Sequence, residues 1–168
     1  QGAVDELPYI DNSYHVSIYK GTGSAQTITT GVKADCIWIK AFSAGGSWVI
    51  FDTNRGATKH LSFQSTGAEV TSAQTLTSFN SDGFSVGTDT SYVNNSGTYY
   101  MALSFKKQAG FFDVIEWTGN GSGQAIPHDL AAGASMVLMK KKNATQDWAY
   151  YFKGSGEVWK RHSLFHKK

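Results

Sequence analysis

Large apolar side chains alternate with smaller or polar ones through much of this chain, and this period-two pattern leaves few folds open. Residues 99–106, with the sequence YYMALSFK, are the clearest case: Tyr, Met, Leu and Phe occupy the odd positions. Such alternation is typical of β-strands that bury one face. Further strands are expected at residues 14–18, 36–41, 48–52, 60–64, 111–117, 136–141 and 148–152.

Turn sequences rich in Gly and Asn separate these segments, and both residue types accept a positive φ at low cost. Helical periodicity is nearly absent, because the best candidate for a helical turn, residues 129–135, is interrupted by Gly133. The turns lie at residues 44–46, 54–56, 80–83, 94–97 and 154–156. The sequence therefore predicts an all-β fold, an antiparallel sandwich or barrel.

An internal repeat suggests that part of the chain is duplicated. Residues 19–28 (YKGTGSAQTI) match residues 117–126 (WTGNGSGQAI) at an offset of 98. Residues 36–40 match residues 136–140 at an offset of 100, and Trp48 matches Trp148 at the same offset. A period near 100 residues suits duplication of a sandwich-sized module rather than of a solenoid unit.

Two arrangements of the repeat are open: a complete sandwich plus the opening strands of a second, or one domain whose later strands pair with an edge of the first set. We expect the second arrangement, because half a sandwich would leave apolar faces and strand edges uncovered. The expected single domain covers residues 1–168. Its core module spans about 14–116, the partial repeat 117–152 completes the sandwich, and a basic segment occupies 153–168.

The chain length of 168 residues suits one soluble domain with a substantial core. No apolar run approaches the roughly 20 residues that cross a bilayer. Lys and Arg number seven against eleven Asp and Glu over residues 1–139, but eight against two over residues 140–168, which predicts a basic C-terminal end. The chain starts at Gln1, so two alternatives are open: processing, or excision from a longer polypeptide.

Motifs for enzyme chemistry are missing from the sequence. The single cysteine, Cys36, lies in an apolar run and is predicted to be a buried structural thiol. No nucleophile elbow, zinc motif or phosphate-binding loop occurs, and the glycines at 21–23 and 119–121 are predicted to form turns. Asp113 and Glu116 would lie on opposite faces of a strand, unlike a glycosidase pair. We therefore expect no catalysis, cofactor or metal ion.

Three segments carry a family resemblance: FDTNRG at 51–56, LTSFNSDGF at 76–84, and FFDVI at 111–115 followed by WTGNGS at 117–122. They resemble a family of phage domains of unknown function that occur, often in tandem, in tail-fibre-like and other virion proteins. The resemblance covers residues 19–152 and implies a concanavalin A-like jelly roll of the laminin-G type, with no catalytic residue. The basic stretch at 158–168 departs from the family pattern.

These features predict a bacteriophage virion structural protein, a fibre, knob, decoration or tail-associated subunit on the particle surface or tail. Its expected partners are other virion proteins and further copies of itself; membrane contact is not expected, and nucleic acid is disfavoured. The alternative is an adhesin whose aromatic rings bind host surface polysaccharide. The candidate contact residues are Tyr92, Tyr100, Trp117, Trp159, Lys160, Arg161, Lys167 and Lys168.

Overall fold

The chain forms eleven strands and almost no helix within residues 12–153, the part that the computed structural model describes. The strands are β1 (Tyr14–Lys20), β2 (Gln26–Thr29), β3 (Cys36–Ala41), β4 (Val49–Asp52), β5 (Lys59–Ser62), β6 (Val70–Thr71), β7 (Leu76–Asn80), β8 (Gly83–Val86), β9 (Tyr99–Phe105), β10 (Met136–Met139) and β11 (Ala149–Phe152). The predicted all-β class is confirmed. None of the described residues belongs to a helix long and apolar enough to cross a membrane.

Nine of these strands form two antiparallel sheets that pack face to face. The larger sheet has the order β1-β9-β3-β4-β5-β6, and the smaller has the order β2-β8-β7. Strand β9 pairs with β1 on one side and with β3 on the other, so strands distant in the sequence are neighbours in the sheet. Residues 14–105 therefore form an antiparallel β-sandwich.

The sandwich core is built from alternate residues of both sheets. Ile37 and Ile39 of β3 and Phe51 of β4 are fully buried and share one apolar cluster with Leu76 and Phe84 of the smaller sheet. Burial of each large apolar side chain contributes about 1.5–3 kcal/mol to stability. This cluster is thus the main stabilising element of residues 14–105.

Strand β9 has the predicted alternation, but its large odd-numbered side chains do not face the core. Tyr100, Ala102 and Ser104 are buried between the sheets, and the ring of Tyr100 stacks on Tyr19 with centroids 5.2 Å apart. The odd-numbered residues, Met101 among them, lie on the outer face of the larger sheet. An antiparallel sheet commonly presents polar residues there, so an apolar outer face needs a cover.

The C-terminal part of the described chain covers one end of this outer face. Cys36, Ile50 and Phe63 pack against Trp148, whose indole N–H donates to the carbonyl oxygen of Ser62 at 3.0 Å. Burial, followed by the nearby Asp52 carboxylate, raises the pKa of the Cys36 thiol to about 12. The predicted structural thiol is therefore confirmed. Partly buried members of this second cluster are Trp38, Trp48, Phe105, Phe112, Val114 and Leu138.

The conserved spacing of the repeat is visible in the hydrogen-bonded ladders. Cys36 pairs with Asp52 in the β3–β4 ladder, and Met136 pairs with Phe152 in the β10–β11 ladder, 100 residues later. The three remaining pairs of each ladder keep the same offset. Residues 136–152 therefore reproduce the β3–β4 hairpin in register.

The glycine turn ahead of the hairpin is also repeated. The Gln26 side-chain amide donates to the carbonyl oxygen of Lys20 at 3.1 Å, and Gln124 donates to Thr118 at 3.4 Å, at the offset of 98. Gly23 and Gly121 take matching positive φ angles of 74° and 80°. Gly23 and Gly121, two of the glycines predicted to form turns, lie in bends of the chain.

Several expectations about the strands need correction. Strands β10 and β11 do not join an edge of the main sheet, because among the described residues they form a two-stranded sheet of their own. Residues 111–117 are not a strand, since their one ladder contact is an isolated bridge from Phe112 to Gln108. Strands β2, β6, β7 and β8 were not expected. The domain boundaries proposed from sequence stay a prediction.

The FDTNRG segment has a structural role between β4 and β5. The Arg55 guanidinium lies 2.5 Å from the Asp52 carboxylate and 3.4 Å from Glu69, and it also donates to the carbonyl oxygen of Ile50 at 2.8 Å. Gly56 closes the turn with a φ of +91°. These charged side chains are nearly buried. Removing one of them would leave the opposite charge unpaired in a low-dielectric environment, which is destabilising.

Candidate interaction surfaces

The rest of the outer face, away from the second cluster, carries exposed apolar side chains. We call it the open face and define it by Val16, Ile18, Phe42, Tyr99 and Met101. Ile18 is 65% exposed and pairs with Met101 across the β1–β9 ladder. The rings of Phe42 and Tyr99 lie 6.2 Å apart. Exposed apolar surfaces are frequent at interaction sites, so the open face is a candidate interaction surface.

The open face ends at a sheet edge formed by β1. Within residues 12–153, β1 pairs with β9 alone. The Lys106 amide donates to the carbonyl oxygen of Ser13 at 2.8 Å. Since antiparallel hydrogen bonding alternates along a strand, the backbone groups of Tyr14, Val16 and Ile18 point away from β9. An unpaired edge beside an apolar face is a template for pairing with another chain.

A polar cleft of about 300 Å³ is the second candidate site. Lys107 donates to the Asn54 side-chain oxygen at 2.8 Å, and Asn54 in turn donates to the carbonyl oxygen of Val114 at 2.8 Å. Trp117 follows the lining residue Glu116 in the sequence and is 44% exposed. The cleft is lined by Asn54, Lys107, Asp113, Val114, Ile115, Glu116, Pro127, His128 and Asp129.

Asp113 and Glu116 share this cleft, contrary to the parity argument, because residues 111–117 do not form a strand. The Asp113 carboxylate accepts the amide N–H groups of Val114 at 2.8 Å and of Asp129 at 3.0 Å. Glu116 forms an ion pair with Lys142. Both carboxylates are therefore held by interactions within the protein, Asp113 by hydrogen bonds and Glu116 by an ion pair. No group of three or more metal-binding side chains is found within residues 12–153.

The structure separates the candidate contact residues into three groups. Trp117 and Tyr92 are on the surface, although the Tyr92 ring also packs on His60 with centroids 4.8 Å apart. The expectation that Tyr100 is exposed is wrong: it is 2% exposed, and its hydroxyl accepts the Asn95 amide N–H at 2.9 Å. The remaining candidates lie outside the described residues: Trp159, Lys160, Arg161, Lys167 and Lys168.

The open face was not predicted from the sequence, although the apolar pattern of β9 contains a signal for it. Both the odd and the even positions of β9 are largely apolar, as expected of a sheet covered on both sides. Tyr100 and Ala102 fill the core, so Met101 and its neighbours lie on the outer face, where a second layer would have to cover them. Among the described residues, that cover is present only at the end where Trp148 lies.

Fold and surfaces together define a small antiparallel all-β protein that presents an apolar sheet face and a polar cleft. The chain belongs to a domain family of unknown function, DUF7483, whose profile matches residues 11–164. Neither the curated proteins nor the solved structures include a match to this chain.

Proposed function

We propose that this domain is a non-enzymatic structural subunit of a bacteriophage particle: a fibre, knob, decoration or tail-associated subunit. It acts by protein–protein assembly with other virion proteins, including further copies of itself. The observation that carries the proposal is the open face beside the β1 edge. The phage assignment rests on the resemblance of three sequence segments to phage domains.

The proposal includes the concanavalin A-like jelly roll that the resemblance implies. Two packed antiparallel sheets with β9 inserted between β1 and β3 support it. The basic segment at 153–168, with Trp159, Lys160, Arg161, Lys167 and Lys168, is proposed as a further contact with acidic subunits.

Assembly through the open face is tested by placing a charge on it. Ile18→Lys should lower incorporation of the protein into particles about tenfold or more, because burying an unpaired ammonium at an interface costs several kcal/mol. Thr29→Lys on the exposed side of β2 is the matched control and should incorporate normally. Both variants should keep the parent's melting temperature. Equal incorporation of Ile18→Lys and Thr29→Lys would refute a role for the open face.

The polar cleft favours a second function, binding of host surface polysaccharide. Its amide, ammonium and carboxylate groups suit sugar hydroxyls, and the exposed Trp117, which follows the lining residue Glu116 in the sequence, offers a ring for stacking. On a glycan array, Trp117→Ala should weaken binding about tenfold. Phe42→Ala, which does not line the cleft, should leave binding unchanged. Absence of binding by the parent protein would remove this second function and leave assembly.

A further inference from the structure

The second glycine turn, residues 118–124, contains the only Asn-Gly step of the sequence, at Asn120 and Gly121. Asparagine is a thermolabile residue. It loses its amide most readily before glycine, because glycine has no Cβ atom to keep the reacting groups apart. Residues 118–124 are all exposed and belong to no strand. The step is therefore open to water.

The Asn120 side chain is held close to the backbone that follows it. Its Oδ1 atom accepts the amide N–H of Ser122 at 2.9 Å, which forms an Asx turn. Deamidation begins when the Gly121 nitrogen attacks the Asn120 side-chain carbon, and negative charge then develops on Oδ1. A donor already in place at that oxygen stabilises this charge. The turn thus holds Asn120 in a conformation suited to the reaction.

The Gly121 nitrogen makes no hydrogen bond in the described part of the chain, unlike the amides on either side of it. The Asn120 amide donates to the Gln124 side-chain oxygen at 3.2 Å, and the Ser122 amide donates to Asn120. The Gly121 amide donates no hydrogen bond to any residue within 12–153. It can therefore lose its proton and approach the side-chain carbon without breaking a native contact.

The first glycine turn provides a natural comparison at the offset of 98. Thr22 stands at the position of Asn120, and Gly23 at the position of Gly121, with a matching positive φ. Thr22 Oγ1 accepts the Ser24 amide at 3.2 Å, which is the bond equivalent to that of Asn120 Oδ1. The two turns therefore have the same local shape.

The two turns differ in how the glycine nitrogen is held. The Gly23 amide donates to the carbonyl oxygen of Asn94 at 2.9 Å, and the Thr22 amide donates to the Asn94 side-chain oxygen at 2.9 Å. A hydrogen-bonded amide has to open locally before it can react. The nitrogen is thus protected in the first turn and unprotected in the second.

We propose that Asn120 is a site of spontaneous deamidation in the folded protein, and that the unbonded Gly121 amide makes it so. The Gly121 nitrogen bonds to the Asn120 side-chain carbon, the bond from that carbon to the side-chain nitrogen breaks, and ammonia leaves with the proton of the Gly121 N–H group. Water then opens the cyclic imide at one of its two carbonyl carbons, which yields aspartate or isoaspartate.

The modification adds one negative charge three positions after the exposed Trp117. Isoaspartate also routes the main chain through the former side chain of Asn120, so the bonds to Ser122 and Gln124 cannot keep their geometry. The surface that follows the polar cleft in the sequence therefore changes as the protein ages. The inference goes beyond the proposed function and does not depend on it, because it rests on the turn alone.

Incubation of the purified full chain in mildly alkaline buffer tests the proposal. Peptide mapping by mass spectrometry, with an isoaspartate assay, follows every asparagine. Asn120 should convert first, and the signal should be absent from Asn120→Thr, which carries the residue of the first turn. An unchanged Asn120, or earlier conversion of the exposed Asn143, would overturn the proposal.

The role of the Gly121 amide is tested by moving the Asn-Gly step to the first turn, with Thr22→Asn in the Asn120→Thr background. Conversion at position 22 should be at least about tenfold slower than at Asn120 in the parent, because the Gly23 amide is bonded to Asn94. The double variant should keep the parent's melting temperature, since Thr22 is exposed. Equal rates at the two positions would overturn the proposal.

Discussion

At the scale of single residues, the presence of an aromatic side chain in this sequence does not predict whether it lies in the core or on the surface. Tyr99 and Tyr100 are adjacent, yet one is on the open face and the other is buried against Tyr19. Residue type is the same, and only the strand parity relative to the second sheet distinguishes them. Parity could be predicted from sequence, whereas the side on which the smaller sheet packs could not.

A buried histidine, His60, is expected to make the stability of the domain depend on pH. His60 is held between Phe51 and Tyr92, with ring centroids 5.6 and 4.8 Å away, and its Nδ1 atom has no hydrogen-bond partner among the described residues. Burial lowers the pKa of His60, Asp89 opposes this shift, and Arg55 adds to it. The fold therefore favours the neutral imidazole over the imidazolium.

His60 should make the protein less stable in mild acid. A lowered pKa in the folded state means that the unfolded chain takes up the proton first, so this stability is complete above about pH 6.5 and declines as pH falls below it. Denaturant unfolding between about pH 7.5 and 5.5 should show a smaller loss for His60→Gln than for the parent. Parallel losses in the two proteins would contradict this origin.

At the scale of elements, long strands with large side chains could be predicted, and short polar ones could not. Strands β3, β4 and β9 were expected because apolar residues dominate them. Strands β2 and β8 were not predicted, because Ser and Thr occupy their outer positions and each strand is four residues long. Residues 111–117 show the converse error: alternation predicts a strand, but without a partner strand no ladder forms.

The loop that joins β1 to β2 depends on one buried side chain. Asn94 satisfies backbone and side-chain groups of this glycine turn and also donates to the carbonyl oxygen of Gly87 at 2.6 Å. This role could not be predicted from the sequence, because the partners of Asn94 in the glycine turn are about seventy residues away. Asn94 therefore connects the turn to the smaller sheet.

Removing the Asn94 side chain should destabilise the sandwich strongly. Asn94→Ala removes one buried and three part-buried hydrogen bonds, which should lower the free energy of unfolding by about 3 kcal/mol. Asn95→Ala is the matched control, because that exposed side chain makes a single 3.3 Å bond to Thr98, and its cost should stay within about 1 kcal/mol. Urea denaturation measures both. Similar losses in the two variants would show that the asparagine does not hold the turn.

At the scale of the whole molecule, the repeat could be predicted from sequence but its placement could not. The offset of 100 between Trp48 and Trp148 is confirmed by the matching ladders. The placement of the second hairpin depends on which surfaces pack together. Packing on the outer face that carries Trp38 and Ile50 buries apolar side chains and is therefore more favourable than pairing with the polar sheet edge. Within residues 12–153, the open face has no such cover.

The most direct test of assembly through the open face is photo-cross-linking in intact particles. A benzophenone amino acid at position 18 should form covalent adducts with a neighbouring virion protein, because Ile18 is the most exposed residue of the open face. The same probe at position 29, on the polar side of β2, should give none. Adducts from position 29 alone, or from neither position in particles that contain the protein, would contradict the account.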